Sequence, residues 1–210
     1  MNSRVILVSD DRSSLRSPDT LLWPDAACMR GIHTGEWTAH IFEYAMSFEG
    51  NMTQVRELAA ANGVGVLHPH GALATDPPSL IVCDVDSTVT RTEAIDLLAE
   101  CAGNADEVRE ITARAMVGEL DFTQSLYARV RCLEGLHIGA LEEAWKATVI
   151  TPGTAELVAA AHDVGAAVGL VSGGFTAIVD PLAEQIRADF AASNELEIVD
   201  NHLTGRVVGD

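Results

Sequence analysis

The sequence Asp84-Val85-Asp86-Ser87-Thr88 constrains the chain most, because it directly follows the short apolar run Leu80–Cys83. Such a run is typical of a strand buried in a parallel sheet. Side chains alternate along a strand, so Asp84 and Asp86 leave its carboxyl end on the same side. Two carboxylates at this position are costly to desolvate unless a cation compensates them. The pattern therefore predicts a site at the sheet edge where open α/β sheets bind ligands.

The paired aspartates have two possible interpretations, and a second motif helps to choose between them. A nucleophilic aspartate, a neighbouring acid/base aspartate and a divalent metal would explain Asp84 and Asp86. A strand that ends in a polar turn is the simpler alternative. The run Val171-Ser172-Gly173-Gly174-Phe175 follows a second apolar strand, and it offers a hydroxyl and backbone N–H groups that suit a phosphate. By itself this run would be an ordinary turn, but together the two motifs indicate a phosphate site.

The domain organisation follows from proline and from the spacing of apolar residues. Asp76-Pro77-Pro78 marks a boundary, because consecutive prolines stop helices and strand pairing. Residues 1–77 are interpreted as a small amino-terminal α/β segment. Residues 78–93 and 150–210 alternate strands with helices, whereas residues 94–149 contain helical patterns alone. We therefore predict an α/β fold with a parallel sheet, an inserted helical cap and a small amino-terminal segment.

Composition limits the partners and the compartment. The net charge is −18 and Lys146 is the single lysine, which argues against binding to nucleic acid or to an anionic membrane. The four cysteines have no metal-ligand spacing, so free thiols in a reducing compartment are expected. No apolar run approaches the length of a membrane span, and no signal peptide is visible. We expect a cytoplasmic protein.

From Leu80 to Asp210 the chain resembles the haloacid-dehalogenase superfamily and, within it, the phosphoserine phosphatases. The aspartate motif by itself indicates the superfamily, and the residues of the predicted cap are more specific. The resemblance is carried by Asp84–Thr88, Glu93, residues 115–122, Ser125-Leu126, Arg129-Val130, residues 171–175, residues 193–197 and residues 203–205.

The resemblance implies a Rossmann-like sheet and Mg²⁺-dependent hydrolysis of O-phosphoserine, the last step of serine biosynthesis. Asp84 would attack phosphorus and form an aspartyl-phosphate. Asp86 would protonate the leaving oxygen and then activate water. Ser172 and the N–H of Gly173 would hold the phosphate. Mg²⁺ would contact the carboxylate of Asp84 and the carbonyl oxygen of Asp86.

The resemblance also assigns residues of the cap to the substrate. Glu93 would bind the ammonium group and Arg129 the carboxylate, while Met116 and Phe122 would close an apolar lid. From the residues alone, other interpretations stay open. Thr90 and Glu93 fit a capping box, Arg129 fits a solvated helix position, and Met116 and Phe122 fit core positions. Phe122 and Arg129 are, however, seven residues apart, which places them on one helical face.

The family pattern continues with a phosphate-binding lysine and a Gly-Asp-Gly-x-x-Asp segment, neither of which occurs in residues 1–210. We therefore expect a carboxyl-terminally truncated phosphatase that, as residues 1–210 alone, turns over little phosphoserine and tends to form homo-oligomers. In the family that the chain resembles, the position of residues 1–77 often carries a regulatory, amino-acid-binding-like domain, so the resemblance implies a short or degenerate form of it here. Two other functions stay open: phosphoryl transfer to a small hydroxy acceptor, and non-catalytic binding of an amino acid.

Overall fold

A computed structural model of the chain describes residues 3–9, 27–33, 38–44, 52–69 and 71–209. The chain divides into two compact units, residues 1–77 and residues 78–210. In the described part of the chain, no helix is both long and apolar enough to cross a membrane. Cys83, Cys101 and Cys132 are free thiols, as the sequence predicts.

In its described residues, the amino-terminal unit contains a four-stranded antiparallel sheet and one α-helix. Its strands lie in the order β2-β3-β1-β4, and the helix α1 connects β3 to β4. Their bounds are β1 Ser3–Ser9, β2 Ala27–His33, β3 Thr38–Tyr44, α1 Met52–Ala61 and β4 Gly65–Leu67. The pattern of apolar residues predicts strands at Arg4–Val8, Ala39–Ala45 and Gly65–His68 and a helix at Met52–Asn62, which correspond to β1, β3, β4 and α1, but it does not predict β2. Its pairing with β3 shifts between Cys28 and Arg30, and such an irregularity breaks the alternation that would reveal a strand.

The second unit is built on a parallel sheet in the order β5-β6-β7, which confirms the predicted fold class. The strands are β5 Leu80–Cys83, β6 Ala167–Phe175 and β7 Phe190–Asn194. Helices α6 (Thr154–Asp163) and α7 (Thr176–Ile186) pack on one face, where Val168 and Leu170 are buried. The opposite face carries apolar side chains that are about half exposed: Leu80, Val82, Val171 and Phe190.

Of the helices between β5 and β6, four lie in the segment that the sequence predicts to be helical, before α6. They are α2 (Ala94–Ala102), α3 (Ala105–Met116), α4 (Phe122–Arg131) and α5 (Gly139–Ala147). We call this helical segment the cap. Its core contains Leu98, Val108 and Leu133, which are completely buried. Leu203 of the hairpin formed by β8 (Leu196–Val199) and β9 (His202–Val207) belongs to the same cluster.

Two helix starts in the cap differ in how side chains cap them. Asn104 followed by Glu107 at the third helical position predicts a capping box, but the side chain of Asn104 caps none of the described N–H groups, so this prediction is wrong. Its Nδ2 instead donates to the carbonyl oxygen of Cys132 over 2.7 Å, which ties α3 to the end of α4. A true capping box lies at the start of α4, where Asp121 and Gln124 bind each other's backbone N–H.

Candidate active site

The chain leaves β5 through one irregular helical turn, Val85–Val89, and this turn places the aspartates. Val85 and Val89 are buried and anchor it beneath the site. Within the turn, Ser87 adopts a left-handed conformation with φ 57° and ψ 12°. The hydroxyl of Thr88 donates to Oδ2 of Asp84 over 2.9 Å, so one oxygen of that carboxylate is fixed by its own turn.

Asp86 lies more deeply than Asp84 and has two hydrogen-bond donors. The N–H of Ala94, at the start of α2, donates to Oδ1 over 2.9 Å, and the hydroxyl of Ser172 lies 3.4 Å from Oδ2. Burial raises the pKa of Asp86 above its ordinary value, and the negative charges of Glu93 and Asp84 raise it further. The two hydrogen bonds lower the pKa but do not cancel this rise. Asp86 therefore holds a proton to a higher pH than an ordinary aspartate, as a general acid requires.

The carboxyl end of β6 brings the Ser-Gly-Gly motif beside the aspartates. The N–H of Gly174 donates to Oγ of Ser172 over 2.8 Å, and Nδ2 of Asn194 donates to the carbonyl oxygen of Gly173 over 2.9 Å. A Cβ atom added at Gly174 would lie 2.7 Å from Oδ2 of Asp86. Glycine is therefore needed at position 174 for the backbone to approach the aspartate this closely.

Glu93, directly before the cap, and Phe122 and Arg129, within the cap, contribute to the same site. Glu93 stands directly before α2, where its side chain accepts no capping bond from the described backbone, so the capping-box interpretation of Thr90 and Glu93 is wrong. Its Oε1 instead accepts a hydrogen bond from the hydroxyl of Ser87 over 3.0 Å. The Arg129 Nε–H donates to a carbonyl oxygen within α4 over 3.3 Å.

These groups surround one cavity of about 180 Å³. Phe122 is 65% exposed, and its ring edge lies beside the backbone of Gly173. Met116 is 83% exposed and is not among the described residues that line the cavity. The lining combines three carboxylates with one guanidinium: Asp84, Asp86, Glu93, Ile95, Phe122, Leu126, Arg129, Gly173, Gly174 and Phe175.

The two aspartates fit a hard divalent cation as partial ligands. The carboxylate of Asp84 and the carbonyl oxygen of Asp86 are oxygen donors, and Mg²⁺ is usually held by one or two carboxylates together with water. Within residues 71–209 and the other described segments, no group of three His, Cys, Asp or Glu side chains could hold a metal ion. Any cation at this site would therefore depend on further oxygen donors.

Sequence reasoning assigned no role to Ser87, Thr88, Gly174 or Asn194, although each belongs to a motif that carries the resemblance. Thr88 donates a hydrogen bond to Asp84. Gly174 donates a hydrogen bond to Ser172 and lies close to the carboxylate of Asp86. Spacing alone does not reveal these roles, because each depends on a backbone conformation or on a residue from another strand.

Residues 81–210 match the haloacid dehalogenase-like hydrolase family. The chain belongs to this family. It is also 48% identical to the phosphoserine phosphatase of Streptomyces coelicolor over 152 residues, which cover 72% of this chain and 37% of that protein. The chain therefore spans little more than a third of that relative's length.

Two solved structures extend the comparison. The probable phosphoserine phosphatase of Vibrio cholerae, in an unliganded form, is 32% identical and superposes with a TM-score of 0.74. The match covers 99% of this chain and 63% of that one. A phospho-aspartyl intermediate analogue of phosphoserine phosphatase is 40% identical, with a TM-score of 0.59, and the match covers 63% of each chain.

Proposed function

We propose that the protein hydrolyses O-phosphoserine to serine and phosphate through an aspartyl-phosphate on Asp84. The observation that carries the proposal is the single cavity that joins two kinds of groups. Asp84 and Asp86 lie at the sheet edge, while Glu93, directly before the cap, and Arg129, within the cap, line the same cavity. The relatives named phosphoserine phosphatase support the same substrate.

In this proposal Asp84 is the nucleophile and Asp86 the acid and base. The hydroxyl of Thr88 holds Oδ2 of Asp84, which leaves Oδ1 to attack phosphorus. The P–O bond to serine breaks as Asp86 donates its proton to the leaving oxygen, a role that its raised pKa favours. The resulting carboxylate of Asp86 then takes a proton from water, which attacks phosphorus and releases Asp84.

The remaining groups hold the two ends of the substrate. The hydroxyl of Ser172 and the N–H of Gly173 bind phosphate oxygens, while the guanidinium of Arg129 pairs with the substrate carboxylate. Glu93 accepts hydrogen bonds from the ammonium group. Phe122 covers the cavity beside Gly173 and excludes water from the acyl phosphate.

Mg²⁺ is the proposed cofactor, held by the carboxylate of Asp84, the carbonyl oxygen of Asp86 and further oxygen donors. When bound there, it would neutralise the repulsion between a carboxylate nucleophile and a phosphate dianion. We further propose that residues 1–77 are regulatory and that the enzyme is cytoplasmic. Both rest on the sequence alone.

The test is phosphate release from O-phosphoserine with Mg²⁺, using protein expressed from its complete reading frame. We expect Asp84→Asn to abolish release while thermal unfolding stays cooperative, because an amide cannot form the acyl phosphate. Asp163→Asn is the matched control, since Asp163 is exposed at the end of α6. Undiminished release by Asp84→Asn would refute the nucleophile assignment. Absence of release by the unaltered protein would favour the non-catalytic alternative, and phosphohomoserine formed on addition of homoserine would favour the phosphotransferase.

A further inference from the structure

Ser87 has a left-handed backbone conformation, although it neither follows the end of a helix nor forms a hairpin turn. Among the described residues, four that are not glycine have φ between 50° and 62°: Ser87, Arg187, Asp200 and Asn201. Arg187 ends α7, and Asp200 and Asn201 form the turn of the β8–β9 hairpin, where left-handed residues are expected. Ser87 does neither, and strained residues of this kind cluster at functional sites.

The conformation of Ser87 directs its side chain to Glu93. Its hydroxyl donates to Oε1 of Glu93 over 3.0 Å, across the six residues that lead from the turn into the cap. Glu93 shares the cavity with the carboxylates of Asp84 and Asp86, and like charges at close range repel one another. The Ala94 N–H at the start of α2 is already taken by Asp86. The hydrogen bond from Ser87 therefore opposes the displacement of the Glu93 carboxylate.

We propose that Ser87 is a positioning residue that sets specificity for an amino-bearing phosphate ester, a role that rests on the proposed function. A hydroxyl has one proton to donate, so Ser87 occupies one acceptor site on Oε1 and leaves Oε2 free for the ammonium group. The bond also fixes the carboxylate before the substrate arrives, which reduces the ordering that binding would otherwise require. Ser87 itself contacts Glu93 rather than the reacting atoms.

The experiment compares three esters in the protein expressed from its complete reading frame. O-phosphoserine carries both end groups, O-phosphoethanolamine keeps the ammonium without the carboxylate, and 3-phosphooxypropanoate keeps the carboxylate without the ammonium. Ser87→Gly removes the hydroxyl and accepts the left-handed backbone without strain. Ser87→Ala removes the same hydroxyl and keeps the strain. For both variants we expect kcat/KM to fall about tenfold for the two amines and to change little for the third ester.

Arg187→Gly is the matched control, because it relieves a similar φ of 62° at the far end of α7 from the Ser172 loop. Arg187→Gly should leave the ratios of kcat/KM among the three esters unchanged. Equal losses for all three esters, or no loss for the amines, would overturn the role of Ser87 while leaving phosphoserine hydrolysis by the unaltered protein intact. A crystal structure of Ser87→Gly gives a readout that needs no turnover: the inference requires the Glu93 carboxylate to move, and an unmoved carboxylate contradicts it.

Discussion

Replacing Gly174 by alanine should damage catalysis through a single added methyl group. The new Cβ would lie 2.7 Å from Oδ2 of Asp86, whereas ordinary contact begins at 3.4 Å, so the carboxylate must retreat by about 0.7 Å. It would also lie 3.0 Å from Oγ of Ser172. A misplacement of about 1 Å at a catalytic group can cost about 10²-fold in rate. We therefore expect kcat/KM for O-phosphoserine to fall between about 10- and 100-fold, or about 1.4–2.7 kcal/mol in transition-state stabilisation.

The assay is steady-state phosphate release by protein from the complete reading frame, with thermal unfolding measured beside it. Gly174 has a negative φ, so alanine adds no backbone strain and the fold should persist. Gly173→Ala is the matched comparison, because its Cβ would meet the ring edge of Phe122 at 2.9 Å, and that exposed side chain can rotate away. The fall in kcat/KM should therefore be smaller for Gly173→Ala than for Gly174→Ala. A Gly174→Ala enzyme as active as Gly173→Ala would refute the argument that Asp86 needs this close approach.

Three further predictions concern the substrate, a helix start and pH. Arg129→Ala should cost about 1.5–3 kcal/mol in kcat/KM for O-phosphoserine but little for O-phosphoethanolamine, and equal losses would contradict its role. Asp121→Ala should lower the free energy of unfolding by about 1 kcal/mol in urea denaturation, whereas Asp121→Ser should restore it. The hydrogen bond from the N–H of Val168 and, to a smaller extent, that from His162 lower the pKa of Asp189 below its ordinary value of 3.8. The ionised carboxylate of Asp189 therefore stabilises the fold above pH 3.8, and this contribution is lost as the pH falls through the lowered pKa. The deficit in Tm of Asp189→Ala should therefore be largest near neutrality and vanish in acid, and a deficit that is independent of pH would contradict this.

The sequence was sufficient to predict the centre of the fold and of the site. The apolar run Leu80–Cys83 followed by two aspartates implies a buried parallel strand with a polar carboxyl end, and the structure contains it. The spacing of Phe122 and Arg129 predicts a shared helical face, and both residues line the cavity. These predictions succeed because they depend on local periodicity and on strand order.

Other features depend on contacts that no local pattern contains. Strand β7 has the sequence Phe-Ala-Ala-Ser-Asn, which lacks the β-branched residues typical of strands. The segment is a strand because it pairs with β6. The contact of Asn194 with Gly173 joins residues 21 apart, and the conformation of Ser87 is set by the turn around it. Met116, the last residue of α3, is not among the described residues that line the cavity.

The most direct test of the account is to trap the covalent intermediate on Asp84. The protein is mixed with O-phosphoserine and Mg²⁺, quenched with borohydride, digested and analysed by mass spectrometry. Borohydride reduces an acyl phosphate to an alcohol, so the account predicts homoserine at position 84 and unmodified aspartate at position 86. Omitting the substrate should give no conversion at either position. Phosphate release without conversion of Asp84, or with conversion of Asp86 in its place, would contradict the assignment of the nucleophile.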